Sequence, residues 1–176
     1  MPTPTISRPV AADYPPYFAT YIDKVPAGDV LEILKSQIDE TIKTLSKVKE
    51  SDAGYRYAPG KWNIREVVRH IADTERVFIY RAVCFARGET QPLPGFDENV
   101  YAANSEADTR TLVEHLEELR TQRAATVSFL AGVSPEALMR RGTANNREYV
   151  MRAIPFIIAG HERHHLGVLR ERYLKG

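Results

Sequence analysis

Apolar side chains recur at spacings of three and four over four stretches of this chain, and no stretch of any length alternates in twos. The first stretch, Val30, Leu31, Leu34, Ile38, Thr41, Ile42, Leu45 and Val48, predicts a helix with Asp29 as its N-cap. It ends in the turn-rich segment "SDAGYRYAPGK". A second helix opens on Asn63-Ile64-Arg65-Glu66, with Asn at the cap and Glu three residues on. Its stripe is Ile64, Val67, Val68, Ile71, Phe78, Ala82 and Phe85, and Gly88 stops it. A third runs from about Thr109 to Leu130 on Leu112, Val113, Leu116, Leu119, Val127 and Leu130. After a short turn at "SPEAL", a last helix spans about Val150 to Leu174. Pro155 falls in its first turn, where a missing N–H has no partner to lose.

Four helices of this length predict an all-α, four-helix bundle in one domain over residues 1–176. "ETQPLPGFDENVYAANSEAD" is a long connection between the second and third helices, and it allows a crossover rather than simple up-down order. "RRGTANNRE" is a further connection before the last helix. Residues 1–28 form a Pro-rich N-terminal arm (Pro2, Pro4, Pro9, Pro15, Pro16, Pro26). Tyr14, Tyr17, Phe18 and Tyr21 in that arm argue for an extended segment packed on the domain, with a short helix around Tyr17 to Ile22.

Composition narrows the function classes. Hydrophobic residues make up 43% and charged residues 27%, with 24 basic and 23 acidic side chains for a net charge of +1. That balance gives no electrostatic footprint for nucleic acid. Cys84 is alone, so neither an intrachain disulfide nor a Cys-based zinc site can form. With no secretory apolar region and no membrane-length run, the chain reads as cytoplasmic.

The candidate chemistry lies in the last helix. "HERHH", residues 161–165, matches the H-E-x-x-H pattern of zinc proteases. On a helical wheel, Ile154, Ile158, Ile157 and Val168 fall within about 60° of His161, and His165 lies about 40° from it. Both rings therefore point into the predicted core, one turn apart, as two ligands of one ion require. A single inward His is ordinarily a core residue bonded to a carbonyl. Two bring unmet polarity worth roughly 1–3 kcal/mol each, which a shared metal resolves. Glu162 and His164 fall on opposite edges, about 80° from the midpoint of the pair. Glu162 is thus expected at the surface rather than as a general base.

A protease needs a third ligand downstream, and Glu171 lies about 240° around from His165. The third ligand must come from upstream. His115 sits between Glu114 and Glu117 and reads as solvated; His70 lies on the inner side of the second helix. Asp73, Glu75, Asp97 and Glu98 could bond ligand N–H groups or substrate, but each reads as a solvated acid.

Taken together, "GKWNIREVVRHIADTERVF" and "IIAGHERHHLGVLRERY" resemble the DinB/YfiT-like superfamily of bacterial proteins. "RGETQPLPGFDENVYA" and the arm resemble one branch of it, so the likeness covers nearly the whole chain. The resemblance implies a bundle, often dimeric, holding a divalent metal on His70, His161 and His165, with His164 adjacent but not a ligand. Asn63 stands where Ser or Thr is usual, and Val168 replaces a Gln, removing a polar group near the base of the site. Zinc or nickel suits three imidazoles, as do iron and copper. The resemblance implies relatives that include thiol-dependent transferases and isomerases and metal-dependent hydrolases, beside many with no assigned activity. The expected function is activation of a low-molecular-weight thiol or of water for attack on a small electrophile. The alternative is a non-enzymatic, stress-related protein with a structural metal.

Overall fold

The computed structural model describes residues 5–174, so Pro2 and Pro4 of the predicted arm lie outside the described residues. The arm leads through short 3₁₀ turns into α1 (Ala19–Ile22). The long helices are α2 (Val30–Leu45), α3 (Ile64–Ala86), α5 (Leu112–Ala131) and α7 (Ala153–Arg172). Between them lie α4 (Glu98–Ala103), α6 (Pro135–Leu138) and a hairpin of β1 (Arg141–Ala144) and β2 (Arg147–Val150).

Local chemistry sets the boundaries. Asp29 accepts from the Leu31 amide, and Asn63 and Glu66 form a reciprocal capping box. Thr111, rather than a residue near Thr109, caps α5, also through a capping box with Glu114. Pro155 sits in the first turn of α7 as expected. Val113 departs from the predicted stripe: it is 69% exposed, while its neighbour Leu112 is buried. "RRGTANNRE" is a correction, since it folds as the hairpin. Strands of four residues are too short to show alternation. Asn145 and Asn146, with φ of 50° and 57°, form the two-residue turn that joins them.

Pairwise packing gives the order α2–α5–α3–α7 around the bundle, so α2 and α3 face each other across a diagonal. Asp108, just before α5, bonds Asn63 and Arg65 at the start of α3. Arg123 farther along α5 bonds Glu75 farther along α3. These neighbours therefore run parallel, and residues 87–111 must return along the bundle as the crossover. Parallel packing recurs for α2 and α7, since Thr41 meets Glu162 and Glu40 meets Arg170.

The core is in two parts. One joins Phe78, Ala82 and Phe85 of α3 to Ile154, Phe156 and Ile158 of α7, Leu34 of α2 and Ile22 and Val25 of the arm. The other joins Val67, Val68 and Ile71 to Leu112, Leu116, Leu119 and Leu169. Between them by position on the helices lie Gln37, Glu75, Arg123 and Glu162, which with Thr41 make a buried polar cluster. Among the described residues no helix is long and apolar enough to cross a membrane.

Candidate metal centre

His70 comes from α3, and His161 and His165 come from consecutive turns of α7, where the two helices pack antiparallel. The Nε2 of His161 lies 3.0 Å from that of His70 and 3.1 Å from that of His165. One ligand atom from each of the three lies within 4.8 Å of the others. His70 and His161 are buried and His165 is half-buried. The Trp62 ring packs on His70 at 4.7 Å between centroids, and Tyr21 packs on His161 at 5.4 Å.

Burial favours the uncharged ring in each case. It lowers the pKa of His70 to about 4, with His164 adding to the effect. Burial likewise holds His161 and His165 well below the usual histidine range, aided by the neighbouring rings. Three neutral imidazoles thus turn Nε2 atoms toward one point. A proton on His161 Nε2 can satisfy only one neighbour, which leaves a buried lone pair facing another nitrogen. A shared cation takes all three lone pairs. Metal–nitrogen bonds of about 2.0–2.1 Å set tetrahedral donors roughly 3.3 Å apart, close to the separations seen. The donor set therefore fits a divalent ion with positions left open.

The histidines form the floor of a cavity of ≈ 670 Å³. Its walls are Tyr17, Phe18 and Tyr21 of the arm, Trp62, Phe78 and Phe96. Arg81, Arg147, Glu98 and His164 complete it. The crossover, the arm and the β1–β2 turn together roof it. The aromatic density of the arm was the available signal for this. For Arg81 the signal was a charged residue three positions from Phe78 and four from Phe85, on the apolar stripe.

Several sequence expectations are corrected. Glu162 is not at the surface: it is 0% exposed and faces the bundle axis. It accepts from Thr41 at 2.6 Å, from Arg123 at 2.8 Å and from Gln37. Glu75 is not solvated either, being 2% exposed and paired with Arg123 through two bonds of 3.0 and 2.9 Å. His115 is buried, with its Nε2 2.8 Å from the Ala107 carbonyl, and so takes the ordinary core role. The cause for Glu162 is that residues 153–162 of α7 are buried all round, so the mean apolar direction does not mark the bundle axis. Asp73 pairs with Arg69 and Arg76, Asp97 caps α4, and Glu98 is exposed at the cavity mouth. His164 is half-buried, its ring 5.0 Å from that of His165.

The family model of the DinB superfamily matches residues 33–169, a span that takes in α3 and α5 whole, most of α2 and α7, and His70, His161 and His165. The chain belongs to the DinB superfamily. As a member it is 26% identical over 166 residues to a protein of Oceanobacillus iheyensis named "Putative metal-dependent hydrolase OB0413". That alignment covers 84% of this chain and 87% of the relative. The fold matches YfiT from Bacillus subtilis with a TM-score of 0.72 at 18% identity, over 81% of this chain and 82% of that one. YfiT is described as "a probable metal-dependent hydrolase with an unusual four-helix bundle topology". The diagonal α2–α3 pair and the crossover give this DinB-superfamily chain a four-helix bundle that is not up-down-up-down.

Proposed function

We propose that this protein is a metal-dependent enzyme that drives attack by water or a small thiol on an electrophilic small molecule. The convergence of the three Nε2 atoms at the floor of a cavity carries the reading. His70, His161 and His165 are the ligands, and zinc or nickel is the ion that three imidazoles suit, with iron or copper as the other choices. Held there, a divalent ion supplies Lewis acidity, which brings a bound water's or thiol's pKa toward neutrality.

The chain's own residues do the rest. Thr74 places its hydroxyl 3.4 Å from His70 Nδ1 and steadies that ring. Trp62 and Tyr21 brace the ligand rings from two sides, and the aromatic walls limit water. Glu162, which completes the protease-like motif, is committed to Arg123, Thr41 and Gln37 and does not serve the site as a base. That arrangement supports a DinB-type hydrolase or thiol transferase over a zinc protease. Three protein ligands, rather than the four of a closed structural site, support a reactive centre. A homodimer in the cytoplasm is the setting we propose from the family resemblance.

Metal analysis of the purified chain beside His161→Ala tests the ligand set. The expected result is one divalent ion per chain, lost in the variant; equal metal in both overturns it. Parallel assays of ester and amide hydrolysis, and of S-transfer to an electrophilic aromatic acceptor, then separate the two chemistries. No metal-dependent rate in either assay would favour a structural role for the ion.

A further inference from the structure

Arg81 is 5% exposed, and no carboxylate among the described residues pairs with it. Its Nη2 donates to the Pro94 carbonyl at 3.0 Å. Its guanidinium carbon stands 5.4 Å from the centroid of the Phe78 ring. Arg123, the other deeply buried arginine, shows what burial ordinarily demands, for it is held by two carboxylates. Arg81 instead lines the cavity that contains the three histidines. A second polar group waits beside it. The Tyr149 hydroxyl is buried beside the guanidinium, and burial pushes its pKa up against the pull of Arg81.

We propose that Arg81 is the anion-binding group of this cavity, receiving the carboxylate or other anionic end of an elongated substrate. Positions 70 and 81 are separated by about 16 Å along α3 at 1.5 Å per residue. The arginine side chain folds back toward the helix N-terminus and shortens that span. Phe18, Phe78 and Phe96 line the space between and fit an apolar body. Arg147 adds a cation, and Glu98 an anion, at the exposed mouth. The substrate class is therefore an amphiphilic acid. That its reacting bond sits at the histidines rests on the function proposed above; the anion site stands on Arg81 itself.

Trp62 is the single tryptophan and lines the same cavity, so its fluorescence reports occupancy. The experiment titrates 4-phenylbutyrate and its uncharged analogue, 4-phenylbutanamide, into the full chain, as purified and again with chelator present. The acid is expected to bind about tenfold or more tightly than the amide in both conditions, as a charged hydrogen-bonded pair implies. Arg81→Met should bring the acid down to the amide, Arg81→Lys should restore part of the preference, and Arg147→Gln should keep most of it. Equal affinity of acid and amide in the wild type overturns the proposal without recourse to any variant. A preference that vanishes with chelator assigns the acid to the metal and also overturns it, while supporting the metal centre. A chelator-resistant preference lost in Arg81→Met, in a chain that holds no metal, sustains the anion site and sinks the metal reading alone.

Discussion

Glu162 and His161 are adjacent in sequence and serve different halves of the molecule. His161 turns to the α3–α7 groove, and Glu162 turns to the bundle axis to meet Arg123. Burial works against the Arg123 charge, but Glu162 and Glu75 more than offset this, so its pKa stays above the ordinary value. The cluster has two carboxylates for one guanidinium, with Gln37 and Thr41 donating to the excess. Arg123→Met leaves both acids buried without a cation and should destabilise the fold by about 3–5 kcal/mol. Glu162→Gln keeps the shape, removes one charge, and should cost less. Denaturant unfolding of the two variants measures this, and a milder loss in Arg123→Met than in Glu162→Gln would contradict the account. The histidine pair was legible from its i, i+4 spacing on the apolar stripe, because that spacing puts both rings on one face of a single helix. The glutamate was not, because its partners lie on α2, α3 and α5, and no spacing within α7 encodes them.

At the level of elements, caps and periodicity located the long helices because those signals are local: Asp29 and Asn63 lie where the helices begin. The crossover was readable as a long connection that allows a departure from up-down order, but which helices it leaves side by side was not. The hairpin was missed because its strands are short and its turn is signalled only by Asn145-Asn146. Gly160 also hid its role. A Cβ there would stand 2.0 Å from the Tyr21 carbonyl oxygen, so α1 can lie on α7 only because the side chain is absent. That approach brings the Tyr21 ring against His161. Gly160→Ala forces backbone to move and should lower stability by about 1–3 kcal/mol, as overpacking of a close contact does. It should also widen the cavity, raising quenching of Trp62 by acrylamide. Unchanged stability and unchanged quenching would show that the arm yields without effect.

Across the whole molecule, the arm is what makes a bundle groove into an enclosed site, and arginines fasten it. Arg152, at the start of α7, bonds the buried Asp13 through Nε at 2.9 Å and Ser7 through Nη1 at 3.0 Å. Arg8 donates to the carbonyls of Ile22 at 2.6 Å and Val25 at 2.9 Å, stitching the arm to itself. Beneath these bonds, Ile22 and Val25 sit in the same apolar cluster as Ile154 and Phe156. The α3–α7 contact that assembles the histidines does not run through Arg152. Arg152→Ala should therefore loosen the arm and spare the ligands. That leaves the buried Asp13 with only the Val10 amide at 2.9 Å and Arg141 at 4.0 Å, a weaker pairing that favours lifting of the arm to hydrate it. Lifting is the easier course, since Arg152 supplies most of the side-chain hydrogen bonds that tie residues 7–13 to the domain beyond the arm. The expected outcome is faster proteolysis within residues 5–25, with metal content held at the wild-type level. Metal lost in step with arm cleavage would show instead that Tyr21 and its neighbours are needed to hold the ligand rings in place.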